Sequence, residues 1–149
     1  NAALQKAVQE LKRVANKYII ISVPYKEQLE KLYYRCANCG FTEHVYGHLQ
    51  SFSEDTLVSY LAPEFYLKNR DVFGPLNRDF KPLLLKIRQR WLKQWSNPGS
   101  GAKCSRCQQE KFEIKKTILS KGINSLNVLL ERKRPYWFMG LFIKKAAEL

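Results

Sequence analysis

The four cysteines are the residues of this 149-residue chain whose types and spacing point most directly to chemistry. They form two C-x-x-C pairs, Cys36 with Cys39 and Cys104 with Cys107, and Gly40 follows the first pair. Paired thiolates and nearby backbone N–H groups converge on a metal in a zinc knuckle, and two pairs with no cysteine left over favour one four-coordinate site. We therefore predict that all four thiolates hold a single zinc ion with no open coordination position.

Other interpretations of these residues stay open at the level of sequence. The cysteines could be reduced thiols, or they could form two disulfides, although a chain without a secretion signal disfavours the latter. His44 and His48 have spacings that suit a self-contained site with Cys36 and Cys39, which would leave the second pair unexplained. Four thiolates is the simpler assignment, and it leaves His48 in a loop as a candidate catalytic or structural residue.

The apolar run Tyr18–Pro24 is the predicted strand around which the other helices and strands are arranged. It lacks alternation, which is typical of a strand covered on both faces of a parallel sheet, and it follows an amphipathic helix over residues 4–15. Pro24 ends the strand because proline cannot donate a ladder hydrogen bond. A central strand needs neighbours on both edges, yet seventeen residues precede this one, so we expect a fragment of a longer intracellular protein.

The other predicted elements follow in chain order. Ser53 is expected to cap a short helix over residues 56–61, because serine oxygens accept hydrogen bonds from the first helical turn. A strand is expected over residues 65–69, followed by a turn at Gly74 and Pro75. A long basic helix is expected over residues 80–95, with its aromatic stripe in packing contacts. A helix near residues 118–130, interrupted at Gly122, and a strand over residues 136–144 complete the predicted elements.

Lysine and arginine outnumber aspartate and glutamate by 26 to 13, which gives a net charge of +13. Such a charge attracts nucleic acid, an anionic lipid surface or an acidic substrate, although a solvated basic surface without a partner is equally compatible with it. No apolar run approaches the roughly 20 residues that cross a bilayer, and no signal peptide is evident. We therefore expect a cytoplasmic location.

Several segments in a fixed order resemble one enzyme family. The segment Glu10–Val14, followed by Tyr18–Tyr25, resembles the fourth helix and fifth strand of class I S-adenosylmethionine-dependent methyltransferases. Gly47–Ser53 resembles the segment that follows that strand, and Pro135–Lys144 resembles the last strand, which is antiparallel and inserted beside the fifth. The paired cysteines resemble a zinc-binding insertion found in a bacterial branch of these enzymes.

The resemblance implies an α/β fold, namely the C-terminal part of a Rossmann-like methyltransferase sheet with a C-x-x-C…C-x-x-C zinc-knuckle insertion. Residues 1–149 would form a partial methyltransferase domain, with zinc-knuckle insertions at 30–53 and 96–112. The cofactors would be S-adenosylmethionine and zinc, and the partners would be a methyl acceptor of unidentified class and the missing N-terminal half. Tyr25 and His48 are the candidates to line the substrate side. The glycine-rich turn and acidic motifs of the family are absent, so we expect the chain alone to be inactive and to bind S-adenosylmethionine feebly.

Two other classes of function compete with the enzyme. The first is a zinc-ribbon-like module that binds nucleic acid, which the charge and cysteine pairs favour but which does not explain a buried helix–strand unit. The second is a structural subunit that completes the sheet of another chain. If the chain is a fragment of the enzyme, or a subunit that completes the sheet of another chain, an open sheet edge favours self-association of the purified chain.

Overall fold

The computed structural model describes residues 2–145, and the chain divides into two compact units. The first unit contains Asn1–Glu27, Ser51–Leu76 and Pro135–Leu149, and the second contains Gln28–Gln50 and Asn77–Arg134. In chain order the helices and strands are α1 (Ala2–Val14), β1 (Tyr18–Pro24), β2 (Tyr33–Arg35), β3 (Thr42–His44), α2 (Glu54–Leu61), β4 (Phe65–Arg78), α3 (Pro82–Lys86), α4 (Ile118–Leu130) and β5 (Lys133–Lys144).

A three-stranded sheet has the order β1-β5-β4, with β5 antiparallel to β1. The register places Tyr18 opposite Ile143 and Pro24 opposite Trp137. The expected antiparallel last strand beside the Tyr18–Pro24 strand is therefore confirmed. The expectation of a central strand in a parallel sheet, buried on both faces, is wrong for residues 2–145. Strand β1 lies at the sheet edge and pairs antiparallel with β5, and Ile20 is 69% exposed.

The core of the first unit forms between this sheet and α2. Ser53 caps α2 as predicted, with its side chain accepting from the backbone N–H of Thr56 and the Thr56 hydroxyl accepting in return from Ser53. Gly140 leaves room for the core rings, since a Cβ at that position would lie 2.8 Å from Phe142. The cluster of buried residues comprises Ile19, Leu57, Leu61, Phe65, Phe138 and Phe142.

Two predicted interruptions are wrong, each for a local reason. The chain does not turn at Gly74 and Pro75, because β4 is an edge strand, where a missing N–H is tolerated, and Gly74 adopts a φ of +90° within the strand. Helix α4 is not interrupted at Gly122, since a mid-helix glycine costs only about 1 kcal/mol.

The predicted long basic helix is shorter than expected. Helix α3 begins at Pro82, a residue suited to the first helical position, and passes into a π-helical turn over Ile87–Trp91. It ends there because Lys93 adopts a left-handed φ of 54°. The aromatic stripe packs only in part, since Trp91 is 77% exposed whereas Trp95 is half-buried.

The second unit is tied together by polar contacts as well as by its hairpin. Strands β2 and β3 pair antiparallel, with Tyr34 opposite Glu43. Asn127 of α4 is buried, and its amide donates to the carbonyl of Asp79 at 2.7 Å while accepting from the N–H of Lys81 at 2.9 Å. Arg134 binds both carboxylate oxygens of Asp79. Across residues 2–145 there is no helix with the length and apolar character needed to span a membrane.

Candidate metal centre

The β2–β3 hairpin presents the first cysteine pair. Cys36 directly follows β2, and its carbonyl accepts from the N–H of Gly40 at 3.0 Å, while its own N–H donates to Phe41 at 2.9 Å. Gly40 has a φ of +71°, a left-handed conformation that glycine adopts without the Cβ clash. This tight turn brings the Cys39 side chain back towards Cys36.

The second cysteine pair repeats the same backbone turn. The carbonyl of Cys104 accepts from the N–H of Gln108 at 2.8 Å, and the N–H of Cys104 donates to Gln109 at 2.9 Å. Gln108 occupies the position equivalent to Gly40 and also has a positive φ, 60°. The second unit therefore contains two knuckles of the same design, although glycine marks only the first.

The two knuckles converge on one point. The sulfurs of Cys36 and Cys107 lie 3.6 Å apart, as do those of Cys39 and Cys104, and all four lie within 4.8 Å of one another. Four thiolates around zinc at about 2.3 Å would be separated by about 3.8 Å, so the spacing fits a tetrahedral ion. A disulfide would need about 2.05 Å, and the four cysteines are free. The predicted cluster is confirmed, and it is compatible with zinc.

Backbone N–H groups contribute to the electrostatics of two of these sulfurs. The N–H of Gln109, helped by the neighbouring thiols, lowers the pKa of Cys107 to about 6. At Cys39 the N–H of Phe41 lowers the pKa, but burial and three neighbouring thiols outweigh it and raise the pKa to about 11. A bound zinc ion would supply the positive charge that stabilises the thiolate forms of these cysteines.

Strand pairing fixes the position of the second knuckle relative to the first. The N–H of Ala37 donates to Lys111 and the N–H of Glu113 donates to Arg35, both at 2.9 Å. Cys36 and Phe112 form an antiparallel bridge between these two hydrogen bonds. The segment after Cys107 is therefore aligned with the strand that leads into Cys36, and both knuckles sit at one end of this pairing.

Glu43 makes a second link between the knuckles. Its carboxylate accepts from the hydroxyl of Tyr34 at 2.6 Å and from that of Ser105 at 2.7 Å. These hydrogen bonds lower the pKa of Glu43, and burial together with Glu43 raises the pKa of Tyr34 to about 12. Sequence reasoning missed this trio; the opposition of Tyr34 and Glu43 across the hairpin was the available signal, but the contact with Ser105 depends on the tertiary fold.

We expect Glu43→Gln to reduce the free energy of unfolding of the second unit by about 1–2 kcal/mol, because neutral acceptors form weaker hydrogen bonds than a carboxylate. The matched control is Glu110→Gln, which removes an exposed carboxylate 3.9 Å from Lys103 and should change stability by less than about 0.5 kcal/mol. Urea denaturation of both variants with zinc present measures the difference, and equal effects would contradict a linking role for Glu43.

The candidate catalytic residues lie elsewhere. His44 is buried and its Nδ1 accepts from the backbone N–H groups of Tyr46 and His48, each at 3.2 Å. The ring of His48 stacks on that of His44 at 4.8 Å. Neither histidine belongs to the cysteine cluster, so the alternative site made from Cys36, Cys39 and the two histidines is not formed.

Tyr25 belongs to the first unit, whereas His48 belongs to the second. The Tyr25 ring stacks on Phe138 at 5.6 Å, and its N–H donates to the carbonyl of Tyr136 at 2.7 Å. The backbone of Tyr25 is thus part of the sheet end that follows β1. The substrate-side roles of Tyr25 and His48 stay predictions.

No family model, curated protein or solved structure matches this chain. The fold and the site together define a small α/β protein with antiparallel sheets and a cluster of four cysteines that is compatible with zinc.

Proposed function

We propose that this chain is the C-terminal part of a class I S-adenosylmethionine-dependent methyltransferase that transfers a methyl group to an acceptor of unidentified class. The supporting observation is the sheet: the last strand of the chain is inserted between β1 and β4 and runs antiparallel to β1. That arrangement is the one expected from the resemblance of β1 to the family's fifth strand and of β5 to its last strand. The exposed edge of β1 provides the place where an upstream strand would pair.

The sequence lacks the elements that hold S-adenosylmethionine in this family. The sequence contains no glycine-rich turn of the kind that approaches the cofactor in this family, and no acidic residue in the expected motifs. The contribution of the chain to the reaction would be to position the methyl acceptor, since proximity and orientation supply much of the rate of a displacement at a good leaving group. Zinc would act as a structural clamp, because four thiolates fill its coordination sphere.

The test of this proposal compares the chain with the longer polypeptide of the same reading frame. We expect the codons before that of Asn1 to encode a glycine-rich turn after a strand, and the longer polypeptide to bind S-adenosylmethionine in titration calorimetry. The 149-residue chain should show no micromolar binding. Micromolar affinity in the chain alone, or an upstream sequence without those elements, would contradict the proposal.

A second candidate function is a zinc-ribbon-like module that binds nucleic acid. The observation in its favour is that the first cysteine pair lies on a β-hairpin, and the net charge of +13 supports attraction to a polyanion. The helix–strand segment α1–β1, which such a module would not explain, belongs to the other unit. Salt-dependent binding to generic DNA or RNA is expected if the module is present, and absence of binding at low salt would exclude it.

A further inference from the structure

A cleft of about 560 Å³ in the second unit combines positive charge with aromatic rings. We name it the basic–aromatic cleft. Its walls include three cations, two rings and one carboxylate, and this combination is typical of sites that bind a phosphate and a base together. The residues concerned are Arg35, Arg90, Lys93, Tyr33, Trp95 and Glu30.

The positive charge of the cleft is only partly neutralised. Glu113 serves two of the cations at once, with its carboxylate 3.5 Å from Arg35 and 3.9 Å from Lys93. Within residues 2–145 no carboxylate lies in ion-pair range of Arg90, nor of Lys86 in the adjoining cavity of about 440 Å³. An anion entering the cleft would therefore find Arg90 without a carboxylate partner among the described residues and Lys93 sharing Glu113 with Arg35.

The aromatic side of the cleft is formed by Tyr33 and Trp95. Nε1 of Trp95 is buried, and the described part of the chain offers it no acceptor. The guanidinium of Arg35 lies over the Trp95 ring at 5.8 Å from its centroid. Because solvent does not reach Nε1, Trp95 would meet a base through its ring, which lines the cleft.

The backbone around the cleft has conformations that proteins rarely adopt without a reason. Arg90 lies on the π-helical turn Ile87–Trp91, and Lys93 has a left-handed φ of 54°. Both features cost free energy and occur often at functional sites. The backbone N–H of Trp95 donates to the carbonyl of Glu113 at 2.9 Å. The backbone N–H of Glu113 in turn donates to the carbonyl of Arg35, next to Cys36.

We infer that the basic–aromatic cleft binds a nucleotide unit of single-stranded nucleic acid, with its phosphate on Arg90 and Lys93 and its base against the Trp95 side. A polymer is favoured over a free nucleotide because the whole chain carries a net charge of +13. A single strand is favoured over a duplex because stacking on a protein ring needs an unpaired base face. This inference locates the site for the second proposed function and is independent of methyl transfer.

The test measures fluorescence anisotropy of labelled single-stranded oligonucleotides with the zinc-loaded chain and no S-adenosylmethionine. The site variant is Arg90→Gln with Lys93→Gln. The control is Lys116→Gln with Lys121→Gln, two exposed lysines of the same unit that lie outside the cleft and whose substitution makes the same change in charge. Zinc content and circular dichroism show that both variants fold.

We expect the site variant to weaken binding about tenfold and to flatten the dependence of log K on log salt by about 1.4, the value for two lost phosphate contacts on a single strand. The control variant should bind within about twofold of the unchanged chain. Equal losses of affinity in both variants would contradict the cleft as the binding site, while the chain would still be a nucleic-acid-binding module. No binding at low salt would contradict both the cleft site and the nucleic-acid-binding module. Tighter binding to a duplex would contradict the preference for a single strand. Equal affinity for a mononucleotide would contradict the preference for a polymer.

Discussion

The purified chain is expected to carry one zinc ion, and a strong chelator is expected to unfold the two knuckles while sparing the sheet of the first unit. Structural zinc sites with thiolate ligands bind with apparent free energies of about 10–16 kcal/mol at neutral pH, and that energy stabilises the fold. The cluster joins Cys39 to Cys104, which have 64 residues between them, so its loss would release a long segment. Hydrogen exchange measures this directly: amides near Cys36 and Cys104 should lose protection, whereas those pairing β1 with β5 should keep it.

Cys104→Ser is the substitution that tests the metal ligand itself. Cys104 is fully buried, and an alcohol is a poor zinc ligand compared with a thiolate, so we expect the variant to lose most of its zinc. The matched control is Arg106→Ser, which introduces the same residue at an exposed position of the same knuckle and should retain the metal. Elemental analysis gives the zinc content of both. Full occupancy in the Cys104 variant would contradict a four-thiolate site.

The second large effect concerns Phe138, at the centre of the sheet core. Phe138→Ala is expected to destabilise the first unit by about 3–5 kcal/mol, because it removes a fully buried ring that stacks on Tyr25 and leaves a cavity. That loss is a large fraction of the roughly 5–15 kcal/mol by which domains are stable. Denaturant unfolding followed by far-ultraviolet circular dichroism measures it.

Met139→Ala is the matched control, since Met139 is the next residue of β5 and is 39% exposed. We expect it to cost less than about 1 kcal/mol. Phe138→Leu should fall between the two and keeps the comparison measurable if the alanine variant does not fold. Equal effects of Phe138→Ala and Met139→Ala would show that β5 does not bury Phe138 as described.

The cysteine pairs, the strand at residues 18–24 and the Ser53 cap could all be predicted from sequence because each depends on local chemistry. A C-x-x-C turn directs two thiolates to one side within a few residues, and Ser53 caps α2 through the backbone of its own first turn. The count of four cysteines then left one simple way of completing a tetrahedral site.

The tertiary structure decided which of these features are buried and which residues support them. The apolar pattern of Tyr18–Pro24 is that of a covered strand, yet Ile20 is exposed because burial depends on neighbours that local sequence does not specify. The stripe that includes Trp91 and Trp95 has helical spacing, but the π-helical turn and the left-handed Lys93 separate the two, so Trp91 is largely solvent-exposed while Trp95 lines a cleft. The hydrogen bond from Ser105 to Glu43 spans two distant segments, and only the folded chain brings such groups together.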